Sequence, residues 1–278
     1  MAKLLLGDFN RLRILRHVEF GLYLDGGRAG DILLPKRYVT PEMTVGQEIE
    51  VFLYLDQEER VVATTEQPKA RVGEFAFLQC SWVNQFGAFL DWGLMKDLFC
   101  PFREQKMRME KGKGYIVYVT IDESSYRIMA SAKVEHYLSH DRPDYTPGQE
   151  ANLLVWQKTD LGFKVIVDNQ FGALLYEDQI YQDIHTGDRL KGYIAQVRPD
   201  GKIDVSLQPA GRQHTEQFAG QLLRYLQEHQ GVCNLSDKSD AEDIKQMFHV
   251  SKKAFKRAVG DLYRRRLILI FDDHIQLT

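Results

Sequence analysis

Asn84-Gln85-Phe86-Gly87-Ala88-Phe89-Leu90-Asp91 is a short apolar run with a glycine near its start and an acid at its end. It reads as one strand of a small β structure entered through a turn. Fourteen residues before its glycine lies Gly73, and twenty-five after it lies Gly112. The same two spacings recur in Gly7, Gly21 and Gly46 and again in Gly148, Gly162 and Gly187. Nine glycines in one register define an internal repeat.

The surroundings repeat too. The middle glycines are followed by Leu22-Tyr23-Leu24-Asp25, Ala88-Phe89-Leu90-Asp91 and Phe163-Lys164-Val165-Ile166. Fourteen residues beyond them, short apolar runs end at Pro35, Pro101 and Tyr176. After each last glycine comes an extended apolar stretch, Ile49 to Tyr54, Tyr115 to Val119 and Leu190 to Ile194. A basic residue, Arg60, Arg127 or Lys202, then opens a final run. Five such segments in roughly 65 residues are too few for a sandwich and suit a small, partly closed barrel of the OB type. Glycine weakens a strand, so a glycine fixed at one place marks a bend or bulge needed for closure.

From Arg212 the apolar period becomes that of a helix. Phe218, Leu222, Leu223 and Leu226 share one face, and Gly231 ends the helix. Ser239 or Asp240 caps a second helix carrying Ile244, Met247 and Phe248, and Ser251 caps a third, Lys252 to Arg265. The run from Leu267 to Leu277 reads as a hairpin turning near Asp272-Asp273. Three helices and a hairpin describe a winged helix-turn-helix. On the third helix Phe255, Ala258, Val259 and Leu262 form an apolar stripe, with Lys253, Lys256, Arg257 and Arg264 opposite. Residues 251–266 hold seven basic side chains against one acid, Asp261. In the recognition position such a face suits nucleic-acid phosphates or a major groove. The predicted fold is mainly β with a C-terminal α+β domain. Three tandem five-stranded OB-fold barrels occupy 1–66, 67–138 and 145–211, and a winged helix occupies 212–278.

With Gly73 upstream and Arg127-Ile128-Met129-Ala130-Ser131 downstream, the Asn84–Leu90 stretch resembles the S1 RNA-binding domain. That family has a Phe-Gly-Ala-Phe-type second strand and a basic residue opening its last strand. Phe20-Gly21-Leu22-Tyr23 is a close variant, whereas Leu161-Gly162-Phe163-Lys164 lacks the first aromatic. The middle repeat, with Pro101-Phe102-Arg103-Glu104-Gln105, further resembles the conserved virulence factor B (CvfB/YitL) family, which joins serial S1-type domains to a C-terminal winged helix. The likeness spans essentially the whole chain. It implies base stacking on Phe20, Tyr23, Phe86 and Phe89, and phosphate contacts from Arg60, Arg127 and Lys202. The family's polar position on the third strand falls on Pro35, Pro101 and Tyr176, of which only Tyr176 could stack or hydrogen-bond. An ideal strand sends Phe86 and Phe89 to opposite faces, so both face outward only if a bulge at Gly87 re-aims the chain.

The formal net charge is −3, so nucleic-acid binding must come from local patches or stacking surfaces rather than bulk charge. The run Arg103 to Lys113 is either a basic loop beside the middle barrel or a merely solvated one. The expected partner is single-stranded RNA, in RNA metabolism, translation or post-transcriptional regulation. Duplex DNA and ribosomal components are alternative partners for the winged helix, and a DNA-binding transcriptional regulator is the competing function. No catalysis, metal or cofactor is expected, because three barrels and a winged helix use up the chain. His136 and His140 lack a third ligand, and no glycine loop of the phosphate-cradling kind is present. Cys80, Cys100 and Cys233 fit reduced thiols. The apolar run at Met1–Asp8 is too short for a signal peptide, and none approaches a membrane span. A cytoplasmic protein with no membrane partner is the expectation.

Overall fold

A computed structural model describes residues 4–180, 182–209 and 212–278, in two compact units that divide after Leu138. In the first unit, β1 (Phe9–Val18), β2 (Gly21–Asp25), β3 (Asp31–Pro35), β4 (Glu48–Leu55) and β5 (Val61–Thr64) close a barrel in the order β1-β2-β3-β5-β4. The β3–β5 pair is parallel and the others are antiparallel. A second set repeats that order: β6 (Phe75–Val83), β7 (Gly87–Asp91), β8 (Leu98–Pro101), β9 (Gly114–Ile121) and β10 (Ile128–Ser131). Here β8 and β10 share no ladder among the described residues, which leaves a seam. A one-turn helix, α1 (Val134–Tyr137), follows.

In the second unit β11 (Glu150–Thr159), β12 (Gly162–Val167), β13 (Phe171–Tyr176), β14 (Arg189–Val197) and β15 (Ile203–Ser206) close a barrel of the first kind. Next come α2 (Arg212–Glu228), β16 (Val232–Cys233), α3 (Ala241–Phe248), α4 (Lys252–Arg264), β17 (Ile268–Ile270) and β18 (Ile275–Leu277), with the strands ordered β16-β18-β17. This is the expected winged helix, with one addition. Strand β16 has only two residues, too few for a periodic signal.

The alternation of each strand explains its place. In β4, Val51 and Leu53 point into the first barrel, while Phe52 and Tyr54 point out yet remain buried. They pack into the apolar cluster of the second barrel, Phe52 edge-on to Trp92 with ring centroids 5.8 Å apart. The run Val51-Phe52-Leu53-Tyr54 is therefore apolar on both faces, and this packing joins the two barrels of the first unit. In the winged helix Phe218, Leu222, Ile244, Phe255 and Leu262 share one core. The Ser251 hydroxyl caps α4 by accepting from the Ala254 N–H at 3.1 Å.

The repeated glycines keep equivalent roles. A Cβ on Gly21 would stand 2.1 Å from the Leu34 carbonyl oxygen, on Gly87 2.4 Å from that of Cys100, and on Gly162 2.1 Å from that of Leu175. Only glycine lets the second and third strands of each barrel approach so closely. The N–H groups of Gly46, Gly112 and Gly187 each donate, at 2.8 Å, to the carbonyls of Ile14, Cys80 and Val155 in the first strand of their own barrel.

Just past those carbonyls, every first strand slips register. The shift falls between Ile14 and Arg16, Cys80 and Trp82, and Val155 and Gln157. Leu15, Ser81 and Trp156 are the extra residues, so each first strand carries a β-bulge at the same place. Before the bulge, Ala76, Leu78 and Cys80 point inward. Strict alternation would bury Trp82 next, but the bulge turns it outward, 44% exposed.

Candidate nucleic-acid interface

In the middle barrel the β6–β7 hairpin turns through Asn84, whose side-chain oxygen accepts the N–H groups of Phe86 at 2.8 Å and Gly87 at 3.1 Å. Phe86 thus stands in the turn, ahead of the strand, and is 63% exposed. Phe89 lies on β7 opposite Phe99, half-buried. Both rings leave the core, as the resemblance implies, but the expected bulge at Gly87 is not the reason. Gly87 pairs in register with Pro101, and the slip lies on the partner strand, between Cys80 and Trp82. Strand alternation never applied to Phe86, because a turn residue has no strand face.

That turn position repeats. Phe20, Phe86 and Leu161 are each more than half exposed, and their carbonyls accept the N–H groups of Lys36, Phe102 and Glu177. The position three residues on repeats as well, opposite the residue released by the bulge. There the Arg16 guanidinium lies 4.5 Å over Tyr23, and Trp82 stacks on Phe89. In the third barrel Gln157 is opposite Lys164, and the Lys164 ammonium lies 5.0 Å over the ring of Trp156. The third barrel, short of an aromatic by the sequence pattern, has its π surface on Trp156. Neither tryptophan is marked by the S1-type motif.

Beside the seam of the middle barrel opens a cleft of about 670 Å3. Phe99 and Pro101 of β8 and Ile128 and Met129 of β10 form its floor, and Phe86 and Phe89 border it. Tyr54, Leu55 and Glu59 of the first barrel also line it. Burial pushes the Tyr54 phenol up to about 12, so it stays a neutral hydrogen-bonding group at neutral pH. Burial also lowers the pKa of Lys96, whose ammonium donates at 2.6 Å to the Asp56 carbonyl. Arg103 pairs with Asp122 at the rim. The Asp122 carboxylate also accepts the Ser124 hydroxyl at 2.5 Å and the Ser125 N–H at 2.9 Å, and these bonds with Arg103 hold it far below the ordinary carboxylate range.

The basic residues of the barrels expected to touch phosphate are all in ion pairs. Arg60 is held by Asp56 at 2.7 Å and Glu58 at 2.9 Å, Lys202 by Asp200 at 3.0 Å, and Arg127 by Glu59 of the first barrel. Tyr176 accepts a hydrogen bond from Arg198, which also grips Asp204 through Nε at 2.9 Å. Arg198, which the motif does not mark, is therefore the cation beside Tyr176. The run Arg103 to Lys113 is largely compensated: Lys106 pairs with Glu135, Lys113 with Glu110, and Arg108 lies 3.5 Å over Phe102. On α4, by contrast, Lys253, Lys256 and Arg257 are exposed and have no carboxylate partner among the described residues. Phe255, Ala258, Val259 and Leu262 are buried on the opposite face. Among the described residues no three His, Cys, Asp or Glu side chains converge as a metal site. None of their helices is long and apolar enough to cross a membrane.

The S1 domain profile matches residues 6–66, and the CvfB-like winged helix profile matches 220–277. Bacillus subtilis YitL is 29% identical over 262 residues, covering 91% of this chain and 87% of that protein. The chain is thus similar to the CvfB proteins over most of its length. Conserved virulence factor B of Staphylococcus aureus is 22% identical over 244 residues, covering 85% of this chain and 81% of its own. A crystal structure of a multidomain protein with nucleic acid binding domains from Streptococcus pneumoniae aligns over 98% of both chains, at 23% identity and a TM-score of 0.44. S1 domains and winged helices are nucleic-acid-binding families, and this chain matches a model of each. Its S1 profile falls on the first barrel, whereas the aromatic cleft belongs chiefly to the second.

Proposed function

We infer that this chain is a non-enzymatic, cytoplasmic RNA-binding protein. It binds unstructured single strands by stacking bases on its barrels, and it acts in RNA metabolism, translation or post-transcriptional regulation. The observation that carries this reading is the cleft of the middle barrel. It brings Phe86, Phe89 and Phe99 together with Arg103 and Arg127 on one surface. Single-strand binding needs that combination, π faces for bases beside cations for the backbone. The pairing of the cations with carboxylates fits a weak, salt-sensitive grip in which phosphate replaces an acid.

The test is equilibrium binding of the full chain to a fluorescein-labelled oligouridine across a salt series. Affinity should fall steeply with salt, and Phe86→Ala should weaken it by about 1–3 kcal/mol without lowering thermal stability, since the ring is exposed. Undetectable or salt-independent binding would overturn the reading. The basic face of α4 favours a second reading, a DNA-binding regulator led by the winged helix. Tighter binding to duplex DNA than to oligouridine at matched salt would select it.

A further inference from the structure

Trp82 lies outside the S1-type motif, and its geometry is that of a ligand platform. Its indole stacks on Phe89 with ring centroids 3.8 Å apart and planes 2° from parallel. Behind Phe89 stands Phe99, at 5.0 Å and tilted 41°. Phe89 is therefore covered on the side of the indole, and the outward π surface passes to Trp82. The indole is fixed in place: its Nε1–H donates to the Asp97 carboxylate at 3.2 Å, and its backbone carbonyl accepts the Cys80 thiol at 3.4 Å. A tryptophan left 44% exposed costs hydrophobic stabilisation that strict alternation would have gained by burying it. The bulge at Ser81 forgoes that gain.

We propose that the outer face of Trp82 is a base-stacking site for single-stranded nucleic acid, one step beyond Phe89. The proposal rests on the RNA-binding reading and adds a contact residue to it. Three features select a nucleobase. The Trp82–Phe89 spacing matches the roughly 3.4 Å rise of stacked bases, so a base on the indole continues a ladder already begun. The Asp97 carboxylate beside the indole repels phosphate, while Arg103 and Arg127 on the cleft attract it, so the base is oriented toward the indole and the backbone toward the cleft. The equivalent cross-strand pair in the first barrel is Arg16 over Tyr23, and in the third Gln157 opposite Lys164, whose ammonium lies over the ring of the bulge residue Trp156, so an aromatic ring lies at or next to this pair in every barrel.

The experiment titrates the full-length protein and its variants with the labelled oligouridine. Trp82→Leu keeps bulk and removes the π face, and should weaken binding about tenfold, whereas Trp82→Phe should stay within about twofold. A purely supporting role for Phe89 is separated by intrinsic fluorescence. A base stacked on the indole quenches Trp82, so the quench on adding unlabelled oligouridine should shrink in Trp82→Phe relative to the parent. Trp82→Leu binding within about twofold of the parent, or an undiminished quench in Trp82→Phe, would overturn the proposal. If Phe86→Ala still weakens binding in that case, the RNA reading survives and only the Trp82 site falls. If the parent protein binds no RNA at all, both fall together.

Discussion

The carboxylate of Glu59, in the turn between β4 and β5, is bonded to the guanidinium of Arg127, the residue that opens β10 of the neighbouring barrel. Glu59 holds a left-handed conformation, φ 67°, at the tip of that turn. The same turn is tied down from within, since Asp56 accepts the backbone N–H of Glu58 and of Arg60, each at 2.9 Å. The acid is therefore presented to the cleft by a structured loop, and it occupies the Arg127 guanidinium there.

Removing that acid should strengthen binding. Glu59→Gln leaves Arg127 free, and the affinity for oligouridine at low ionic strength should rise by up to about fivefold, the range of an exposed ion pair. The gap between variant and parent should close as salt screens both. Anisotropy titrations at low and high salt check this. An unchanged low-salt affinity would mean that Arg127 contacts no phosphate.

Acid should unpick the rim of the cleft. The folded pKa of Asp122 is depressed, by the Ser124 hydroxyl first and then by the Ser125 N–H, with Arg103 adding attraction. Its contribution to stability is thus fully present above the unfolded value of about 3.9, and is lost as pH falls through the folded value. Urea midpoints of the parent should drop below about pH 4. Asp122→Asn should start lower at neutral pH and lose less of its midpoint on acidification.

Two glycine substitutions should have opposite signs. In Gly162→Ala the new methyl meets the Leu175 carbonyl at 2.1 Å on a backbone with φ +137°, and should cost about 1–3 kcal/mol. Gly220 lies within α2, and a Cβ there meets nothing within 4 Å, so Gly220→Ala should gain roughly 0.5–1 kcal/mol. Denaturant unfolding followed by circular dichroism reads both.

Replacing Lys253, Lys256 and Arg257 together by Ala should leave the winged-helix core intact, because all three are exposed. Each phosphate that the variant no longer neutralises should flatten log affinity against log salt by about 0.7 on a single strand or about 0.9 on duplex DNA. A slope identical to the parent's would remove α4 from the interface.

The barrels were legible because closure imposes glycine at one place in each, and Gly21, Gly87 and Gly162 stand against carbonyls that no Cβ could clear. The winged helix was legible because the α4 stripe, Phe255, Ala258, Val259 and Leu262, follows a helical period into one core. The site was legible only in part. Phe86 and Phe89 carry a motif, and both border the cleft. Trp82 was hidden because its spacing from Cys80 is that of a core residue, and a bulge leaves no mark in composition. Glu59 and Arg127 are 68 positions apart, and no local pattern reports a contact between barrels. Arg198 was missed for a related reason: the register of the repeat points to Lys202, whereas the turn brings Arg198 back onto Asp204 and Tyr176.

The bulge shared by β1, β6 and β11 splits each first strand into two stretches under different constraints. Before it, Leu12 and Ile14, Leu78 and Cys80, or Leu153 and Val155 must satisfy the barrel interior. After it, Arg16, Trp82 and Gln157 lie outside the barrel interior, where their contacts are with surface neighbours such as Tyr23 and Phe89. A substitution in the later stretch does not alter the side chains that fill the barrel interior, so the surface chemistry of each barrel can change apart from its core. Three copies of one scaffold can thus present three unlike surfaces, a guanidinium at Arg16, an indole at Trp82 and an amide at Gln157, over one barrel design.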